Sequence, residues 1–233
     1  MKRHIGVVMA AFLLTALFGC THIEGTRDKS STTQRFSALG KIDSIAILPI
    51  KNDVGMLGLS SKIEAALQQS LQMAFPSARI VDVQAVGSKL AGRDLISTYG
   101  LWRASYDSTS ILDPRPLQAL NQATDARYFL LVHAPYLARE RVRASDTGYS
   151  GLVNDANNVW RSDLKLSVEL IDTQLNKVVW KGNGHSEHIH SPKKGTDLFF
   201  VIINDRNAEM SEYIGQMVAT AANGVARQIA AAQ

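Results

Sequence analysis

A chain whose only cysteine is residue 20 cannot staple itself with an internal disulfide, so its fold must be held by its own packed core. Its 233 residues are enough to bury one. The position of that cysteine constrains the chain as much as its solitude. Lys2, Arg3 and His4 make a short positive start, and Ile5 to Phe18 is apolar apart from Gly6 and Thr15. The run is too short to span a bilayer, which takes roughly 20 apolar residues. It has the length of the apolar part of an export signal. No later apolar run in the sequence is long enough to span a bilayer either.

Leu17-Phe18-Gly19-Cys20 resembles the lipobox of bacterial lipoproteins: Leu stands three positions before the cysteine and a small residue directly before it. Phe18 departs from that pattern, which prefers a smaller side chain. The resemblance implies cleavage before Cys20 and lipid on its sulfur and new amino group, several acyl chains in all, enough for stable anchoring. The next residue is Thr21, not the Asp that resembles an inner-membrane retention signal in such proteins. The expected location is therefore the outer membrane, with the domain facing the periplasm. Cleavage would remove Lys2 and Arg3 and lower the net charge from +4 to +2. The basic balance of the whole chain is then a weak signal, and no basic stripe of the kind nucleic acids need is visible. Thr21 to Lys41 is polar and short of large apolar residues, too few to offset the entropy of ordering. The expected organisation is a signal peptide over residues 1–19, a lipidated Cys20 with a flexible tether over 20–42, and one periplasmic domain over 43–233.

Within that domain, Ser44-Ile45-Ala46-Ile47-Leu48-Pro49 reads as a buried central strand. Ser61 to Glu64 has the spacing of a capping box. It opens a helix whose apolar face is Ile63, Ala66, Leu67, Leu71, Ala74 and Phe75 and which Pro76 stops. Arg79 to Val83 is a second strand, followed by a short helix to Gly92. Residues 93–112 read as helix and loop. Asp113-Pro114 is a helix start, with Asp as cap and Pro as first residue. Arg127 to His133 is a third buried strand. Asp163 to Asp172 alternates, with Leu164, Leu166, Val168 and Leu170 inward and Lys165, Ser167 and Glu169 outward. Val178 to Gly182 returns as its hairpin partner. Met210, Ile214, Met217, Val218, Ala221, Val225 and Ile229 stripe a long final helix. The fold class is α/β (α+β): a mixed sheet of about five strands with a closing antiparallel hairpin, covered by helices.

Four motifs carry a wider resemblance. They are Ser44 to Ile50, Arg79 to Val83, Thr124-Asp125-Ala126-Arg127-Tyr128-Phe129-Leu130-Leu131, and the hairpin from Leu170-Ile171-Asp172-Thr173 to Lys177 through Gly182. Their order behind a lipobox is similar to a group of envelope domains: the TolB amino-terminal domain, the curli secretion lipoprotein CsgG, and LpoB-type activators of penicillin-binding proteins. Residues 93–112 and 138–161 are longer than matching connections in that pattern, and nothing after His190 matches it. The resemblance implies a role by binding, with no enzyme chemistry common to the group, and fold alone does not choose the partner.

Three features are candidate sites. His185, His188 and His190 fall close together, and on an extended chain His188 and His190 project to one side. Imidazole is a common zinc or copper ligand, but the chain adds no cysteine and Glu187 points the other way. Trp102, Tyr106 and Trp160 lie in the two long connections and are candidate anchors for a protein partner. The run Leu198 to Ile203 is either core or a surface for self-assembly. Gly148-Tyr149-Ser150-Gly151 lacks the strand-turn-helix setting of a nucleophile. The expected role is an adaptor or activator that binds an envelope protein, with no cofactor and no catalytic residue, and monomeric in solution. The alternatives are a homo-oligomeric subunit of an envelope or secretion assembly, and a periplasmic protein that binds metal through the histidines.

Overall fold

The structure is a computed structural model that describes residues 24–35, 39–50, 58–143, 146, 158–190 and 204–233. Its strands are β1 (Glu24–Asp28), β2 (Ser31–Arg35), β3 (Ser44–Ile47), β4 (Arg79–Val81), β5 (Tyr128–Val132), β6 (Tyr136–Arg143), β7 (Asn158–Asp172) and β8 (Lys177–His190). Its helices are α1 (Leu59–Ala74), α2 (Val83–Ala91), α3 (Ile96–Thr109), α4 (Pro114–Thr124) and α5 (Asn204–Ala230). The strands join in one mixed sheet of order β1-β8-β7-β5-β3-β4, with β2 also on β8 and β6 also on β7. The fold is the mixed α+β architecture that the sequence pattern implies, closing hairpin and long final helix included.

Strand β3 runs parallel to both β4 and β5, and β5 runs antiparallel to β7. In β5 every residue is buried, because helices cover both faces there. On one face α1 and α5 pack Ile63, Leu67, Leu71, Met217, Ala221, Val225 and Ile229 onto Ile45, Ile47, Leu130, Leu164, Leu166, Val168, Leu170 and Trp180. On the other, α2, α3 and α4 pack Val86, Leu90, Trp102, Leu117 and Leu120 onto Ala46, Leu48, Phe129, Leu131 and Ile171. The stripe expected on the final helix is largely the buried one: Met217, Val218, Ala221, Val225 and Ile229 are inside and Ile214 is half-buried. Gly184 of β8 lets α5 come close, since a Cβ there would stand 2.6 Å from the Ala221 carbonyl oxygen. No described helix is long and apolar enough to cross a membrane.

Helix starts follow local chemistry, with two corrections. The strand expected over Arg79 to Val83 ends at Val81, and Val83 opens α2. Asp82 caps α2 by accepting from the Ala85 N–H at 2.7 Å, and Asp113 caps α4 by accepting from Arg115 at 3.0 Å. The capping box expected at Ser61 and Glu64 does not form. Helix α1 begins two residues earlier, behind Gly58, whose φ of 94° suits a residue without Cβ. Glu64 accepts instead from the backbone N–H of Ile50 at 3.1 Å, and burial raises its carboxyl above the ordinary value. Asp172 acts as expected, its Oδ1 accepting from Gln174 and Leu175 at 2.9 and 3.1 Å to close the β7–β8 turn.

The larger corrections concern strands. Residues 24–35, expected as tether, form β1 and β2, both antiparallel to β8. Their polar, Ser- and Thr-bearing sequence has no buried-strand pattern because the backbone ladder to β8, not an apolar face, holds them. The long connection 138–161 likewise supplies β6 and the start of β7. Among the described residues the sheet therefore has eight strands, not about five. Helix α3 fills the other long connection, 93–112. The stretches 148–151 and 198–203 lie outside the described residues.

Candidate functional site

Alternation along β8 separates the three histidines. His185 faces one side of the sheet, where its Nε2 lies 2.9 Å from Asp163 Oδ1. The same side carries Glu187, buried and paired with Lys29 at 2.5 Å. His188 and His190 share the opposite side, as the strand period requires. The His188 ring stacks on Tyr213 of α5 with centroids 4.5 Å apart, and its Nδ1 lies 2.9 Å from the Thr26 hydroxyl of β1. His190 Nε2 lies 3.2 Å from an Arg139 guanidinium nitrogen. That nitrogen only donates, so Nε2 accepts. His185 thus does not converge with the other two, and no group of three His, Cys, Asp or Glu among the described residues is placed to hold a metal. A guanidinium against His190 also opposes a cation there.

The expected aromatic anchors divide as well. Trp102 and Tyr106 are each 3% exposed, stacked 5.9 Å apart under α3, and so belong to the core rather than to a contact surface. Trp160 is half-buried on β7, with the Arg139 guanidinium 4.5 Å over its ring. What α3 does present outward is apolar: Ile96 and Leu101 are 58% and 75% exposed, and Ile111 just beyond it is 69% exposed.

Tyr106 belongs to a buried polar network that the sequence pattern does not show. Glu169, expected to face solvent beside Lys165 and Ser167, is covered by α3 and only 7% exposed. It accepts from the Tyr106 hydroxyl and from Lys181 Nζ, each at 2.5 Å, and His133 Nε2 stands at 3.5 Å. Burial alone would raise its carboxyl, but the hydrogen bonds from His133, Lys181 and Tyr106 outweigh it and hold the group down at about 2. Burial and the adjoining carboxylate push the Tyr106 hydroxyl well up. Arg103 completes the cluster, donating to the Val132 carbonyl at 2.9 Å and to Asp107 at 3.0 Å. A carboxylate held that far below neutrality beside a phenol held neutral offers no base poised near neutral pH. The network fastens α3 to the sheet. The signal for it in the sequence is the Glu169 position itself, opposite Lys181 across the hairpin.

The remaining concentration of functional side chains lies at one end of the sheet. Strand register places Glu24 of β1, His190 of β8, Trp160 of β7 and Arg141 of β6 in one transverse row. Arg139, Arg141 and Arg143 share one side of β6. Cys20 itself lies outside the described residues, but only residues 21–23 separate it from β1. An ionic cross-tie at this end joins Arg161 of β7 to Glu140 of β6 on the reverse side.

No family model and no curated protein sequence matches the chain. Solved structures are similar to it only loosely. A PelC dodecamer from Paraburkholderia phytofirmans is 14% identical over 87% of this chain and 96% of its own, with a TM-score of 0.39. The lipoprotein GNA1162 from Neisseria meningitidis is 14% identical over 72% and 98%, with a TM-score of 0.38. The protein CT253 from Chlamydia trachomatis is 12% identical over 82% and 96%, with a TM-score of 0.39. TM-scores below 0.5 leave the function to be argued from the chain itself.

Proposed function

We propose that this chain is exported, cleaved before Cys20, and held by lipid on that residue at the outer membrane, where its α+β domain binds an envelope protein partner from the periplasmic side. The observation that carries the reading is the sole cysteine of the chain standing where Ile5 to Phe18 ends, in Leu17-Phe18-Gly19-Cys20. Lipidation gives that cysteine a use and explains its solitude. Binding rather than chemistry is favoured because the buried network around Glu169 is saturated internally, while α3 exposes Ile96 and Leu101 to solvent. Exposed side chains of that size on a helix are suited to an interface core.

The contact surface moves accordingly from Trp102 and Tyr106 to the outer side of α3 and to Ile111. A photocrosslinking residue at Leu101, in the intact lipoprotein in its own envelope, tests this. The expected result is one dominant adduct with a different protein, lost when Ile96 is replaced by Asp. No adduct, or an adduct with a second copy of the chain, contradicts the adaptor reading; the second result promotes the oligomeric-subunit alternative.

A further inference from the structure

The described chain begins its sheet at Glu24, four residues after Cys20. Four residues reach at most about 14 Å even when fully extended. If Cys20 carries lipid, as proposed above, the end of the sheet bearing Glu24 stays within that distance of the acyl chains. A loose tether of the length expected from the sequence would leave the domain free to turn. The three residues between Cys20 and β1 are too few for that, which raises the question of which surface faces the membrane.

The register answers it. The row Glu24, His190, Trp160, Arg141 crosses four neighbouring strands. At a strand spacing of about 4.8 Å, Arg141 stands roughly 14 Å across from Glu24. Arg143 lies two residues further along β6, opposite Asn158 at the start of β7. Both arginines are exposed, and Arg139 behind them is braced on Trp160. Glu140, the carboxylate of β6, points to the other face and pairs with Arg161. Protection of an edge strand against pairing calls only for charge, of either sign. Here three charges of one sign share one side of the strand, at the end where the anchor enters.

We propose that this end of the sheet is a membrane-facing surface, in which Arg141 and Arg143 rest on the anionic headgroups of the leaflet that holds the Cys20 lipid. The sheet then meets the bilayer end-on, and the β7–β8 turn at Leu175 points away, roughly 40 Å from the row along the strands. Arginine suits phosphate through its planar fork of donors. A basic side chain within a Debye length of an anionic surface, about 8–10 Å at physiological salt, favours that surface by roughly fivefold. Lipid holds the domain at the membrane, and the arginines set which way it faces.

The test uses the full lipidated chain reconstituted into vesicles, with a fluorophore on Glu140→Cys in one preparation and on Leu175→Cys in another. The Cys20 sulfur, carrying lipid, takes no label. Quenching by a headgroup-attached spin label reads the depth of each site. In phosphatidylethanolamine–phosphatidylglycerol vesicles the label at 140 is expected to be quenched several-fold more than the label at 175. The short link alone leaves some near-end preference, so the difference should shrink by more than half, without vanishing, in pure phosphatidylcholine, an arm that needs no substitution in the arginines, and with Arg141→Glu plus Arg143→Glu. Equal quenching at both sites in anionic vesicles, or a near-end preference indifferent to lipid charge and to the double substitution, overturns the proposal. Flotation separates the two claims: a chain that floats with vesicles but shows no preference loses only the orientation, whereas one that does not float loses the anchor as well.

Discussion

The two halves of the sheet are built on different terms. The half formed by β3, β4 and β5 is clothed by helices on both faces, and its strands Ser44–Ile47 and Tyr128–Val132 are almost uninterruptedly apolar. The half formed by β7 and β8 with β1, β2 and β6 is antiparallel and long. One of its faces meets α5, and the other carries Arg161, Asp163, Lys165, Lys181 and His185. In the first half, side-chain burial chooses the structure. In the second, backbone pairing to two long strands, β7 and β8, recruits segments whose side chains would not have chosen it.

The largest effect is expected in the clothed half. Phe129→Ala removes a fully buried ring from β5 and should cost about 3–5 kcal/mol by urea unfolding. A cost below 1 kcal/mol would mean that this half is not the packed one. Acid should act next, at the junction of the halves. Glu169 titrates at about 2 in the folded chain and ordinarily at 4.5. A lowered carboxyl contributes stability that is present above the ordinary value and lost as pH falls through the folded one. Between pH 4.5 and 2 the native chain should therefore lose about 3 kcal/mol more than Glu169→Gln does. Parallel pH curves for the two proteins would show that the network does not hold α3.

Smaller effects sharpen the antiparallel half. Gly184→Val sets side-chain atoms against the Ala221 carbonyl and Val225 of α5 and should cost about 1–3 kcal/mol, by the same unfolding measurement. A neutral substitution would mean that α5 does not seat on β8. Thr26→Val removes the hydroxyl beside His188 and should cost about 1 kcal/mol. Amide hydrogen exchange should show β1 opening before β5 in either protein. Equal protection of the two strands would erase the distinction between the halves.

That distinction also sets what the sequence discloses. Ile45, Ile47, Leu130 and the alternation from Leu164 to Leu170 declare themselves because burial demands apolar side chains at strand spacing. The stripe on α5 and the cap at Asp113 are local chemistry and equally plain, whereas the cap at Asp82 is hidden inside what reads as a strand over Arg79 to Val83. Strands β1 and β2 are hidden, since Glu24–Asp28 and Ser31–Arg35 carry no apolar face and pair their backbone groups with a partner more than a hundred residues away. Trp102 and Tyr106 read as loop aromatics because the weakly amphipathic α3 around them carries serines and an arginine on its faces. The histidines look like a cluster until the strand period divides them. The sheet-end row needs the register of four strands, which only the fold supplies.

The account rests on Cys20 being the lipidated first residue of the mature chain. Mass spectrometry of the protein extracted from its own envelope, after proteolysis, tests this directly. The predicted result is an amino-terminal peptide that begins at Cys20 and carries acyl chains on its sulfur and amino group, absent in Cys20→Ala. A mature chain that begins elsewhere, or that retains an unmodified Cys20 thiol, would contradict it.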